Sequence, residues 1–248
     1  MTGRKLQLKR LHPYSRLYIL ILAIAVLAAY AIAQPTGTDA LTQQSSSRGN
    51  LTQTASSVQA QAGNVSEINI EATAITTAWQ GYFGNITGSI TLENSAGDVF
   101  YNWSGLGSFT GEVYAARTDS VAWATIGCVD AAEMNSETGY LGKSNSDPDS
   151  VWGTFSSKNH PEFLIGTATI TANTCNSTNA YVDTGQDSAR FYQVLLADGG
   201  SNIVYSTLID QDQTGFNGIA YDFELLVGEN GNASSSSTTP YYFFIELN

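Results

Sequence analysis

Past residue 64 the chain is written in short runs whose apolar positions recur every second residue, the period of a half-buried β-strand. "SEINIEATAI" (Ser66 to Ile75) alternates through Ile68 and Ile70. "GNITGSITLEN" sets Ile86, Ile90 and Leu92 against Asn85, Thr87, Ser89 and Thr91. "SAGD" then breaks the pattern, and "DVFYNWS" resumes it with Val99, Tyr101 and Trp103 opposed to Phe100, Asn102 and Ser104. The two runs predict a hairpin whose Ile86, Ile90 and Leu92 face a core. In "TTAWQGYFGN", Gly81 and Gly84 can reset the alternation, which leaves the directions of Trp79 and Tyr82 open.

Similar runs follow in "GEVYAAR", "SVAWATIGCV", "FLIGTATITA", "RFYQVLLAD", "NIVYSTLID", "AYDFELLVG" and "PYYFFIEL", each bounded by Gly, Asn, Asp or Ser. They predict an all-β fold, a β-sandwich or jelly-roll-like single domain over residues 65–248. Asp130 to His160 is the least strand-like stretch and predicts a long excursion with at most a short helix. "ITLENSAGDVFY" (Ile90 to Tyr101) echoes "VLLADGGSNIVY" (Val194 to Tyr205), as two hairpins of one plan would.

The first 64 residues follow other rules. Residues 1–33 carry Arg4, Lys5, Lys9, Arg10 and Arg16, no acid, and then the apolar run "LYILILAIAVLAAYAIA" from Leu17 to Ala33. This predicts an N-terminal apolar helix, either a signal peptide, for which Ala31 and Ala33 supply the small-residue cleavage pattern, or a retained membrane anchor with its N-terminus cytoplasmic. Residues 34–64 are rich in Ser, Thr, Gln and Gly and lack aromatics, the composition of a flexible linker. Both outcomes put the rest of the chain at the cell surface or outside the cell.

Splitting the chain there sharpens its charge. The exported part keeps five basic residues against 22 acidic ones, which opposes binding to nucleic acid or anionic lipid. Export also bears on the two cysteines, Cys128 and Cys175, which read either as a disulfide or as two buried thiols.

Candidate chemistry is sparse. Six glycosylation triplets begin at Asn50, Asn64, Asn85, Asn102, Asn176 and Asn232, of which Asn85 and Asn102 fall on the polar parity of their runs. Asp210 and Asp212, in "DQDQTG", resemble the opening of a calcium loop, but Tyr221 stands where a bidentate Glu belongs; an Asp-rich turn is the alternative. No cofactor is implied otherwise. His160 lacks a nucleophile signature, and Asp147, Asp149, Asp210, Asp212 and Glu224 could serve a carboxylate mechanism only by converging in space. The 13 Tyr, 10 Phe and 4 Trp suit either a β-core or surface stacking on sugars and partner chains.

"AWQGYFGN" followed by "GSITL", "YNWS", "GEVYA", "GFNG" followed by "YDFELLV", and the terminal "YYFFIEL" together resemble a largely uncharacterised family of exported archaeal surface proteins. The resemblance implies location and architecture and no catalytic residue. The arm after Ala33 and the alternating "SEINIEATAI" are also similar to those of archaeal filament subunits whose β-domain is completed by a neighbour's strand, although the basic-Gly cleavage site of a type IV pilin is missing. The expectation is a non-enzymatic envelope or filament subunit, with self-association or envelope contacts and a membrane contact through residues 17–33 if these are uncleaved. Its alternatives are an adhesin or glycan/protein-binding module and a carboxylate-based hydrolase.

Overall fold

A computed structural model describes residues 34–49, 54–103, 110–230 and 238–248. The apolar run of residues 17–33 lies outside them, and no helix among the described residues is long and apolar enough to cross a membrane. In chain order the elements are β1 (Thr36–Gly37), β2 (Trp79–Gly84), β3 (Thr91–Glu93), β4 (Val99–Asn102), β5 (Gly111–Ala116), a 3-10 turn (Trp123–Thr125), β6 (Gly127–Cys128), α1 (Ala131–Tyr140) and α2 (Val151–Thr154). There follow β7 (Phe163–Ile165), β8 (Ala168–Ile170), β9 (Ser177–Asn179), β10 (Tyr181–Val182), β11 (Gly185–Gln186), β12 (Tyr192–Ala197) and β13 (Ile203–Leu208). Last come β14 (Gln213–Thr214), β15 (Ala220–Tyr221), β16 (Phe223–Gly228) and β17 (Tyr242–Leu247). Strands dominate, and the chain is all-β as its alternation predicts.

The main sheet runs β1-β17-β5-β13-β12-β6, with β9 also paired to β12, and every pairing is antiparallel. Its central strands are apolar on both parities, so both faces must be covered. Val113, Ala115, Leu195, Ala197, Ile203 and Tyr205 pack on one face against Leu225 and Val227 of β16 and against Met134, Leu141, Val151 and Phe155 of the helical excursion. Tyr114, Ala116, Val194, Leu196, Val204 and Phe244 pack on the other against Ile126, Phe163, Ile165 and Ile170. A fully buried Leu such as Leu195 or Leu196 contributes about 1.5–3 kcal/mol. Gly111 opens β5 at φ 133°, where a Cβ would stand 2.0 Å from the Glu246 carbonyl oxygen; a side chain there would part β5 from β17.

The excursion after Asp130 holds more helix than its polarity suggests, because its caps are complete. Asp130 accepts from Glu133 N at 2.8 Å while the Glu133 carboxylate accepts from Asp130 N at 2.8 Å, a reciprocal box that starts α1. Ser150 caps α2 by accepting from Gly153 N.

Three strand expectations change. "SVAWATIGCV" supplies the 3-10 turn and the two-residue β6 rather than one long strand. Ser66 to Ile75 is exposed and without regular structure, since no strand pairs with it among the described residues. Ile86 packs against the core, but Ile90 and Leu92 do not: they are 37% and 51% exposed because the β3–β4 hairpin stands off the domain.

The 34–64 range starts with a docked segment. Thr36 and Gly37 pair with Ile245 and Phe244, so β1 covers part of the β17 edge.

Cys128 and Cys175 form a disulfide with Cα atoms 4.9 Å apart, tying β6 to the segment before β9 and closing a loop that contains both helices and the β7–β8 hairpin. Reduction should lower the unfolding free energy by about 2–4 kcal/mol, read from urea denaturation with and without reductant; an unchanged midpoint would mean that the covering layer holds without the link.

Candidate interaction surface

Most of the side chains that carried the catalytic and metal expectations are engaged by structural partners. His160 is buried: its Nδ1–H donates to the Pro161 carbonyl at 2.8 Å, and Nε2 accepts from Thr174 N at 3.2 Å and Cys175 N at 3.0 Å. A carbonyl can only accept and a backbone N–H can only donate, so the partners fix the neutral tautomer and hold the disulfide loop. Asp147 accepts from Ser144 N and Oγ, each at 2.8 Å, and these contacts hold its carboxyl below the ordinary range. Asp149 pairs with Lys143 at 2.7 Å and accepts from Thr76 Oγ1 at 2.7 Å; the lysine contact is the first cause of its lowered pKa.

Around the proposed calcium loop, Asp210 is engaged by Arg190 at 3.1 Å. Asp212 sits at φ 54° with its N–H donating to Asp222, whose other carboxylate oxygen accepts from Ile86 N at 2.7 Å. Glu224 accepts from Phe216 N at 2.8 Å, and burial raises its pKa. Among the described residues no group of three or more His, Cys, Asp or Glu side chains is arranged to hold a metal ion.

Two buried polar sites escaped the sequence reading. Arg117 forks the Glu137 carboxylate, stacks 4.1 Å over the Tyr140 ring, and shares Glu137 with the Tyr205 hydroxyl, which donates at 2.6 Å. This network joins β5, α1 and β13. On the opposite sheet face, Glu112 and Glu246 are cross-strand partners on β5 and β17. The Tyr114 hydroxyl lies 3.4 Å from Glu112, and both oxygens of Glu246 accept from Gly166 N at 3.0 Å. Burial, then the charge of Glu246, pushes Glu112 up to about 8, partly offset by Tyr114; burial also raises Glu246. The visible signal was one acid inside each of two apolar strands, "GEVYAA" and "FFIEL".

The opening aromatics divide. Trp79 Nε1 donates to the Asp149 carbonyl at 2.8 Å while its ring packs beside Phe155 and Tyr205, and Tyr82 meets Phe243 edge-on at 5.0 Å. Phe83 turns outward against Phe216 and Tyr221, at 5.0 and 4.8 Å.

The larger apolar surface is the β3–β4 hairpin. Leu92 pairs with Tyr101 and Thr91 with Asn102, and the Trp103 N–H donates to the Ile90 carbonyl. Directly opposed residues share a face, so Ile90, Leu92, Tyr101 and Trp103 form one apolar side and Asn102 points away from it, while a register shift between Leu92 and Glu93 sets Val99 opposite Glu93. The pattern is the predicted one except at Val99, which the register shift sets opposite Glu93, yet all four are exposed, with Tyr101 and Trp103 in ring contact at 4.8 Å.

Its turn repeats that of β12–β13. Asn94 Oδ1 accepts from the N–H groups of Ala96 and Asp98, as Asp198 Oδ1 does from Gly200 and Asn202. An Asn–Asp side-chain bond closes each turn, Asn94 to Asp98 at 2.9 Å and Asn202 to Asp198 at 2.7 Å. The echo in the sequence is therefore a shared turn. One copy lies at the centre of the sheet and the other in solvent.

Of the sequons, Asn64, Asn85 and Asn102 are exposed, whereas Asn176 is half-buried and its Nδ2 donates to the Phe155 carbonyl at 2.8 Å; Asn50 and Asn232 lie outside the described residues. In a glycosylated preparation, glycopeptide mass spectrometry should find sugar on Asn64, Asn85 and Asn102 and none on Asn176. The Glu112–Glu246 pair predicts a pH dependence. Carboxyls raised in the folded state bind more protons there than when unfolded, so the Glu112 contribution is full below about pH 4.5 and is lost as pH rises through about 8, with Glu246 acting in the same direction. Glu112→Gln should raise Tm at pH 9 by at least about 4 °C and leave it nearly unchanged at pH 4, by calorimetry; equal shifts at both pH values would refute the assignment. No protein-family model, curated protein or solved structure matches the chain.

Proposed function

We propose that this chain is a non-enzymatic structural subunit of a cell surface, exported behind its apolar N-terminal segment, with the β-domain outside and associating with copies of itself. One observation carries the reading: a chain that covers both faces of its main sheet leaves a built apolar hairpin face, Ile90, Leu92, Tyr101 and Trp103, in solvent. Such a face marks a surface completed by a partner. The distribution of acids supports a non-catalytic role, since Asp147, Asp149, Asp210 and Glu224 each hold a local structural contact. The resemblance to exported archaeal surface proteins agrees with this location.

A glycan- or protein-binding module is the second reading. It is favoured by the Phe83, Phe216 and Tyr221 cluster, in which Phe216 and Tyr221 stack at 17° and Phe83 and Phe216 are each 44% exposed. Flat rings of this kind can stack on sugars.

The net charge of the exported part makes copies repel, and salt shortens the reach of that repulsion from about 10 Å at 0.1 M to about 3 Å at 1 M. The full chain in detergent solution should pass from dispersed to assembled over that range, read by sedimentation velocity and electron microscopy. A chain that stays monomeric throughout would refute the structural-subunit reading.

A further inference from the structure

We propose that Phe83, Phe216 and Tyr221 form the seat of a glycan carried by Asn85 of the same chain, whose first sugar lies over these rings. The inference rests on the export part of the proposed function and not on self-association, and it gives the ring cluster an occupant that the chain itself supplies.

Asn85 is held from both sides. The Asp222 N–H donates to the Gly84 carbonyl at 3.0 Å, and the Asp222 carboxylate accepts from the Ile86 N–H at 2.7 Å. One residue thus fixes the backbone before and after Asn85. Exposure alternates through the stretch, with Phe83, Asn85 and Thr87 exposed and Tyr82, Gly84 and Ile86 half-buried. Phe83 and Asn85 therefore project from one face, roughly 7 Å apart along the chain.

The rings are assembled beside it. Glu224 stands directly opposite Phe83 in the β2–β16 pairing, so the two share a face, and its carboxylate accepts from Phe216 N at 2.8 Å. That bond sets the Phe216 ring 5.0 Å from Phe83. Tyr221 immediately precedes Asp222, so the ring and the clamp on Asn85 are consecutive in the chain. Its ring lies 4.8 Å from Phe83 and its hydroxyl accepts from the Asn217 amide at 3.0 Å. A bond from the Gly215 N–H to the Ile219 carbonyl at 2.8 Å closes the turn that carries Phe216. Neither apolar core includes these three rings.

A sugar suits the site. The C–H face of a pyranose covers aromatic rings, while its hydroxyls stay in water or meet a polar rim, here Asn217 and the Tyr221 hydroxyl. Attachment selects the occupant: a sugar tethered two residues away is presented at an effective concentration on the order of millimolar, whereas a free sugar must be gathered from solution. The sequence points the same way. With 10 Phe in 248 residues, chance puts a phenylalanine two places before about one sequon in 25, yet Phe83 precedes Asn85 and Phe100 precedes Asn102 in this way. Asn64 has Ala62 there and serves as a control without a ring.

The test uses the full chain secreted by glycosylating eukaryotic cells and trimmed with an endoglycosidase to one N-acetylglucosamine at each occupied sequon. With carbon-13-labelled sugar, the ring protons of the Asn85 sugar should lie upfield of those of the Asn64 sugar. Phe83→Ala, and separately Phe216→Ala, should return them to the Asn64 positions; the amides of the main sheet report that each variant is folded. The Asn85 sugar should also raise Tm by about 2–4 °C over Asn85→Gln, and by less than about 1 °C when Phe83 is already alanine. An Asn85 sugar with the same spectrum as the Asn64 sugar, unmoved by either substitution, would overturn the proposal. So would sugar on Asn64 with none on Asn85. An N-acetylglucosamine oligomer that binds the rings equally well with and without sugar on Asn85 would overturn it in favour of an open binding site. These outcomes leave export and the association of copies standing, whereas a chain kept inside the cell with no sugar at any sequon would overturn the export reading as well.

Discussion

Everything in this domain follows from strands that are apolar on both faces. β5, β12 and β13 offer Val, Leu, Ile, Ala and Tyr on both parities, so the sheet they form has no side for water. Each face then needs a lid, and the rest of the chain supplies two. β16, β2 and the two helices close one side; the β7–β8 hairpin and the turn at Trp123 close the other. The disulfide and His160 fasten the segments that lead between these lids.

Burial on both sides also dictates the polar chemistry. A buried polar group costs free energy unless it is paired, so polar residues inside the sheet carry their partners with them. Gln193 Oε1 accepts from Leu226 N at 2.7 Å across the layers, and Ser206 Oγ donates to the Val194 carbonyl at 2.7 Å. Glu137 takes both Arg117 and Tyr205. Arg117, Lys143 and Arg190, three of the five basic residues beyond residue 33, are engaged in ion pairs inside the domain, which leaves an acidic exterior. Among the described residues no ion pair reaches Glu112 or Glu246, and burial raises the pKa of both carboxyls.

Sequence alternation gave the right fold class because strand periodicity is local, and it gave the correct pairing side for Leu92 and Tyr101. It misjudged where that side goes. Parity says which residues share a face and not whether the chain folds anything over it, so Ile90 and Leu92 were expected in a core and stand in solvent. The same limit hid the Glu112–Glu246 pair and the Arg117–Glu137 fork, whose members meet only through tertiary packing. Conversely, Asp210 and Asp212 have the spacing of metal ligands, yet the structure gives Asp210 an arginine. The helix at Ala131–Tyr140 was legible in one local detail, the Asp130–Glu133 box, which a reading by polarity passed over.

Both strands of the β3–β4 hairpin are exposed along their whole length, and the proposed self-association rests on that exposure. Amide hydrogen exchange at Thr91 and Asn102, whose N–H groups face outward because the neighbouring Ile90–Trp103 pair is the bonded one, tests this directly, compared between the dispersed and the assembled full chain. The account predicts fast exchange at the outward-facing amides of the hairpin when dispersed and at least about a hundredfold slowing on assembly, while the β12–β13 amides stay protected throughout. Assembly that leaves the hairpin amides exchanging at their dispersed rate would contradict it.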